Sequence, residues 1–225
     1  METIVIESVV FDMDGVLFDT ERICINVWYQ VGKEMNISDI SKAVVGCLGL
    51  NVNDTRQFFV SQYQGQFPYA EFMRRTSQLL NETIERDGIP MKAGVFELLE
   101  FLKNNKYNIA LSTSTSKVDA ERYLKKAEIT NYFQAIITGD MIEHGKPNPE
   151  IYLMACKGLS SSPEVSFAIE DSFYGIRAAY DAGMKPIMVP DLIEPTEEIE
   201  KLLYRKFESL LGVKEHLQTI KREYN

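Results

Sequence analysis

The chain has 225 residues, enough for one large domain or for one domain carrying an insertion. Its 24 Lys and Arg against 33 Asp and Glu give a formal net charge of −9, and a sequence pI near 4.9 argues against a protein that grips phosphate backbones through a basic surface. No apolar run approaches the roughly 18 residues a membrane span requires. The first ten residues carry Glu2 and Glu7 without a basic leading segment, which does not read as a signal peptide. Three scattered cysteines, Cys24, Cys47 and Cys156, make neither a disulfide framework nor a zinc site and suit a reducing compartment. The expectation is a soluble, cytoplasmic, acidic globular protein that binds neither nucleic acid nor membrane.

Ile4 to Phe11 is a short Val- and Ile-rich run stopped by Asp12-Met13-Asp14-Gly15, which reads as a buried strand ending in a polar turn. From Phe18 to about Pro90 no short strand is evident, and helical patterns fall at Glu21–Glu34, Asp54–Tyr63 and Tyr69–Arg86. Beyond Pro90, strand-like runs at Asn108–Leu111, Gln134–Thr138, Ser166–Ile169 and Pro186–Val189 alternate with helical stripes such as Val95, Leu98, Leu99 and Leu102. Continuous apolar strands alternating with helices predict an α/β fold: a Rossmann-like parallel sheet with helices on both faces. The expected domains are 1–17 with 91–225 as the α/β core, and 18–90 as an inserted α-helical cap. Such an insertion can close over a ligand at the C-terminal edge of the sheet. The tail, Glu194 to Leu203 and Val213 to Arg222, reads as terminal helices packing on the core.

The polar residues gather at the strand ends. Asp12 and Asp14, two positions apart on an extended segment, should point their carboxylates the same way. Asp and Gly are also ordinary turn formers, and the glycine and glutamate positions of a calcium loop are missing. The second strand runs into Ser112-Thr113-Ser114-Thr115-Ser116, hydroxyls opening a helix, which suits an anion or simply a helix cap. Gly145-Lys146-Pro147 follows the third strand and can hold a lysine toward a phosphate. The fourth ends in Glu170-Asp171-Ser172, acids at the ligand edge that suggest a metal more than surface. His144 sits near Lys146 and reads as a loop residue beside the site, and His216 as surface. Trp28, Phe58 and Phe59 read as core of the insertion, and Arg74 and Arg75 as a solvated face. A Gly-Lys-Ser/Thr phosphate loop is absent from the sequence.

These four stations resemble, in order and spacing, the four motifs of the haloacid dehalogenase superfamily of aspartyl phosphotransferases, and closest its beta-phosphoglucomutase-like and phosphatase branch. They read Phe11-Asp12-Met13-Asp14-Gly15-Val16-Leu17-Phe18-Asp19-Thr20-Glu21, Ser112-Thr113-Ser114, Gly145-Lys146-Pro147, and Ile169-Glu170-Asp171-Ser172 with Gly175-Ile176. The resemblance covers the whole chain, including the helical insertion between the first two motifs. It implies Asp12 as nucleophile and Asp14 as general acid and base, with Thr113, Ser114 and Lys146 on the phosphoryl group. It implies Mg2+ held by Asp12, Glu170, Asp171 and the backbone carbonyl of Asp14.

Charge supports those roles. With Asp14 protonated, the other three acids carry −3, and Mg2+ with Lys146 adds +3, so an anionic nucleophile can meet an anionic phosphate. The second Asp argues against halide displacement, whose leaving group needs no proton. The mutases of this branch carry a basic residue in a cap loop for a second phosphate, but here Val45-Gly46-Cys47-Leu48-Gly49-Leu50-Asn51 holds neither Arg nor Lys. The histidine that follows their first motif is also missing, Ile23 and Cys24 falling there. The expected activity is therefore hydrolysis of a small phosphorylated metabolite, with a sugar phosphate mutase as the alternative and a non-catalytic phosphosugar-binding regulator as a third. Gly46, Cys47, Leu48, Gly49 and Leu50 are the expected specificity loop.

Overall fold

Ser8-Val9-Val10-Phe11 is buried along its whole length because strands lie on both sides of it and side chains pack on both of its faces. The structure, a computed structural model, describes residues 5–48 and 52–222. In chain order its elements are β1 (Ser8–Phe11), α1 (Thr20–Glu34), α2 (Ile40–Gly46), α3 (Val52–Gln62), α4 (Tyr69–Asp87), α5 (Val95–Asn104), β2 (Asn108–Ser112) and α6 (Lys117–Lys126). They continue with β3 (Ala135–Ile137), α7 (Glu150–Gly158), β4 (Ser166–Glu170), α8 (Phe173–Asp181), β5 (Lys185–Met188), α9 (Glu197–Glu200), β6 (Arg205–Lys206) and α10 (Leu210–Arg222). By its internal contacts the chain divides into two units, Asp19–Pro90 and the remainder.

The sheet has the order β3-β2-β1-β4-β5-β6, and every pairing is parallel. Parallel neighbours need crossovers, and these carry the helices that cover both faces. Register places Val10 beside Ala110 and Ala168. On that face they pack against Ile151, Tyr152 and Ala155 of α7 and Ala178 and Ala179 of α8. The alternating residues Val9, Phe11, Ile109, Leu111, Phe167 and Ile169 point to the other face. There Phe167 meets Tyr204 at 4.9 Å and Phe11 meets Phe133 edge-on at 6.3 Å. The stripe Leu98, Leu99 and Leu102 of α5 is fully buried, each side chain worth about 1.5–3 kcal/mol. Strands β1 to β3 build outward to one side and β4 to β6 to the other. The order therefore reverses between β1 and β4, where open α/β sheets leave a crevice at the strands' carboxyl ends.

The helical unit is built on Phe59, whose ring lies 4.4 Å from Phe67, 5.5 Å from Phe72 and 5.7 Å from Trp28. Trp28, Phe58 and Phe59 thus belong to its core. Arg74 and Arg75 are solvated and pair with Glu71. Helix α2 is not evident in the sequence. It has seven residues, starts after Asp39 in a left-handed conformation, and its Ile40, Ala43 and Val44 stripe is too short to separate helix from strand.

Three other expectations change. The first strand begins at Ser8; of the earlier part, Ile4 lies outside the described residues and residues 5–7 are not strand. The tail segment Glu194–Leu203 forms only the single turn α9, capped by the Thr196 hydroxyl, because the chain must then turn back to pair β6 with β5. His216 is half-buried rather than surface, bonded to the Tyr204 hydroxyl at 3.1 Å and to Arg205 at 3.2 Å. None of the three cysteines forms a disulfide. No helix among the described residues is long and apolar enough to cross a membrane.

Candidate active site

Asp12 follows β1 directly, its N–H bonded to the Ile169 carbonyl at 2.9 Å, so the ladder with β4 carries its carboxylate to the edge of the sheet. Asp14 comes two residues on, and the intervening Met13 is wholly buried. Gly15 then turns the chain in a left-handed conformation (φ +78), its N–H bonded to the Phe18 carbonyl. A Cβ on Gly15 would lie 2.1 Å from Asp171 Oδ2, so only glycine leaves room for that carboxylate.

Lys146 joins three strand ends. Its Nζ donates to Asp12 Oδ1 at 2.5 Å, to Glu170 Oε1 at 2.6 Å and to the Ser112 carbonyl at 3.2 Å. Its side chain is only 7% exposed. The loop that delivers it is folded back on α7, where the Glu150 carboxylate accepts the N–H groups of Glu143 and His144. His144 is itself exposed and is held here through its backbone.

Glu170, the last residue of β4, is 0% exposed. Its Oε1 accepts from Lys146 and from the Tyr152 hydroxyl at 2.6 Å. Its Oε2 accepts from the Ser172 hydroxyl at 2.9 Å and from the N–H groups of Asp171 and Ser172. The Ser172 hydroxyl in turn caps α8 by accepting from the Gly175 N–H. A Cβ on Gly175 would fall 1.8 Å from Glu170 Oε1, so this helix start too must be bare. Asp14 Oδ2 accepts from the Thr115 hydroxyl at 2.8 Å, with Thr113 Oγ1 at 3.5 Å. Thr113 is buried at the end of β2, and Ser114 is exposed beyond it.

Burial pushes the Asp12 carboxyl well above the usual carboxylate range; Lys146 opposes this, while Glu170 and Asp14 add to the rise. Burial works to lower the Lys146 ammonium, but Asp12 and Glu170 together outweigh it and hold the group above its ordinary value. The two directions agree: the lysine faces two anions, whereas Asp12 faces one cation and two further carboxyls. Oxygens of Asp12, Glu170 and Asp171 lie within 4.8 Å of one another. A hard divalent cation suits this all-oxygen set, and the bare Gly15 and Gly175 leave room for the Asp171 and Glu170 carboxylates that belong to it.

The structure therefore brings together Asp12, Asp14, Thr113, Lys146, Glu170 and Asp171. The expected specificity loop falls in the helical unit, Asp19–Pro90. Gly46 ends α2 with its Cα against the Phe58 ring, where a Cβ would lie 2.4 Å from Cζ. Cys47 is buried in the helical unit's own core, and burial pushes its thiol up to about 11. Both are packing residues in that unit, and Leu48 is half-buried. Gly49 and Leu50 lie outside the described residues. Thr115 and Tyr152 escaped sequence reasoning. Thr115 is one hydroxyl among five neighbours, and Tyr152 sits in an apolar helical stripe; only the rule that a buried phenol needs a partner signals it.

The sequence profile of the haloacid dehalogenase-like hydrolases matches residues 9–189. The chain is 32% identical over 194 residues to a phosphorylated carbohydrates phosphatase of Thermotoga maritima, covering 80% of this chain and 83% of that protein. It is 27% identical to the beta-phosphoglucomutase of Bacillus subtilis, covering 90% and 96%. Among solved structures, a beta-phosphoglucomutase from Clostridium difficile superposes with a TM-score of 0.78 at 25% identity, covering 98% of this chain and 99% of that one.

Proposed function

Because this chain belongs to the haloacid dehalogenase-like hydrolase family, we propose that it is a Mg2+-dependent phosphatase of small phosphomonoesters, sugar phosphates or similar, working through a phosphoaspartate at Asp12. The observation that carries this reading is the buried Lys146 bridging Asp12 and Glu170 beside Asp171. Phosphate monoesters resist water strongly enough to need accelerations of up to ~10²¹-fold. An aspartate acceptor divides that task into two transfers.

In the first transfer an Asp12 carboxylate oxygen bonds to phosphorus as the ester oxygen departs and takes a proton from Asp14. In the second, Asp14 draws a proton from water, whose oxygen displaces Asp12 and frees inorganic phosphate. Thr115, bonded to Asp14, holds that acid in place. Thr113, Ser114 and Lys146 grip the phosphoryl oxygens. Asp12, Glu170, Asp171 and the Asp14 carbonyl would hold Mg2+, which when bound supplies the positive charge that lets a carboxylate approach a phosphate.

The likeness to beta-phosphoglucomutases along nearly the whole chain favours a second reading, transfer of phosphate within a sugar phosphate. The absence of Arg and Lys from residues 45–51 weighs against it, because a bisphosphate intermediate must be held at both ends. A regulator that only binds needs neither Asp12 nor Asp14. One experiment separates the readings: sugar phosphates and nucleoside monophosphates are scored for free phosphate and for isomer, with Mg2+ and with excess EDTA. Hydrolysis predicts Mg2+-dependent phosphate release without isomer. Isomer as the main product supports the mutase, and turnover undiminished by EDTA contradicts both enzyme readings. Repeating the panel with Leu48 and Leu50 substituted tests whether the insertion helps choose the substrate.

A further inference from the structure

Tyr152 lies in the first turn of α7, is 0% exposed, and faces the sheet among Val10, Ala110, Ile151, Ala155 and Ala168. A phenylalanine ring would complete that apolar layer equally well, so the hydroxyl is surplus to packing. It reaches through the layer to the ligand edge and donates to Glu170 Oε1 at 2.6 Å. Lys146 Nζ donates to the same oxygen at 2.6 Å and stands 5.1 Å from the centre of the Tyr152 ring. The tyrosine thus touches both the cation and the anion of the buried pair, by its face and by its hydroxyl. The other oxygen, Glu170 Oε2, is tied to the 171–172 backbone and the Ser172 hydroxyl.

We propose that Tyr152 is a positioning residue whose hydroxyl locks the Glu170 carboxylate, and with it Lys146, in the arrangement that receives the divalent cation beside Asp12. This rests on the phosphatase reading above only for the cation's use. Without the hydroxyl, Lys146 is the one remaining donor to Oε1 in this set, and the carboxylate can pivot about its Oε2 contacts. Carboxylates that swing freely must be ordered when the cation arrives. Removing a group that orients a metal ligand typically weakens metal binding about 10–100-fold.

The test is Tyr152→Phe in the full chain, with Mg2+ titrated while thermal unfolding is followed; a ligand of the folded state stabilises it by RT ln(1 + [L]/Kd), and the Mg2+ midpoint is the Kd fitted to the rise in Tm by that relation. The expected result is a Mg2+ midpoint about 10-fold higher than wild type. Leu159→Ala, which trims a buried side chain next to the same helix, serves as the control for simple destabilisation: it should lower Tm while leaving the Mg2+ midpoint within about twofold. In phosphatase assays, Tyr152→Phe should raise the half-saturating Mg2+ in parallel and leave kcat at saturating Mg2+ within about twofold. A Tyr152→Phe midpoint equal to or below wild type overturns the proposal, as does a Leu159→Ala midpoint raised as far. The thermal titration needs no substrate, so a wild type that hydrolyses no phosphomonoester sinks the phosphatase reading alone. A wild-type Tm indifferent to Mg2+ sinks both.

Discussion

Replacing Lys146 with Met keeps the length and apolar stem of the side chain and removes one buried positive charge. In the structure that charge meets Asp12 at 2.5 Å and Glu170 at 2.6 Å, with side-chain exposures of 7%, 11% and 0% for the three groups. Water can therefore do little to compensate. Removing one partner of such a pair typically costs about 3–5 kcal/mol, and at about 2–4 °C per kcal/mol for a chain of this size Tm should fall by roughly 6–20 °C in Mg2+-free buffer.

The loss should also depend on pH. Asp12 is already raised, so the folded state holds a proton there more tightly than the unfolded chain does, and stability falls as pH climbs from the ordinary carboxylate range through the raised value. Lys146 is the group that opposes the rise, and removing it pushes Asp12 further up. Protonated Asp12 then relieves the repulsion, and the cost should be smaller near about pH 5 than near about pH 8. Lys146 is itself raised, so the wild type keeps the lysine's contribution across that window and loses it only as pH rises through the lysine's own range. Calorimetry of both proteins at the two pH values, with and without Mg2+, reads all of this. Mg2+ should recover more Tm in Lys146→Met than in wild type, because it replaces the missing charge. A loss below about 1 kcal/mol that ignores both pH and Mg2+ would refute the claim that the lysine neutralises this cluster.

Asp14→Asn should lose about 10²–10⁴-fold in turnover of alkyl phosphates, the usual weight of a general acid. First-turnover release from aryl phosphates, whose leaving group needs no proton, should suffer far less, and equal losses in a stopped-flow comparison would remove Asp14 from that role. Gly15→Ala forces a left-handed residue to carry a Cβ, costing about 1–2 kcal/mol, and drives the methyl toward Asp171 Oδ2. Its half-saturating Mg2+, read by titration, should rise with the loss of stability; an unchanged value would mean that Asp171 does not depend on the bare turn.

The sheet and the strand-end acids were legible because a buried parallel strand writes itself as an apolar run, and its ligand-facing end interrupts that run abruptly. Phe11-Asp12 and Ile169-Glu170 are such breaks. Short elements left no comparable trace: α2 spans seven residues and β6 only Arg205–Lys206, paired with β5 through the fold rather than by its own pattern. Residues whose role depends on what lies across the fold were invisible. Thr115 bonds to an acid 101 positions away, and Tyr152 is coded like any core aromatic. Gly46 shows the same limit, since a glycine that admits the Phe58 ring looks in sequence like one that admits a ligand.

Asp12 is the group proposed to be phosphorylated in turnover. Asp12→Asn preserves size and hydrogen bonding to Lys146 but leaves an amide, which is no adequate nucleophile, and it removes a carboxyl that burial already disfavours in its charged form. The direct measurement is phosphate release from small phosphomonoesters by wild type and Asp12→Asn at saturating Mg2+, with Tm recorded for both. Turnover should be abolished in a variant at least as stable as wild type near neutral pH. Wild-type rates of phosphate release from folded Asp12→Asn would contradict it.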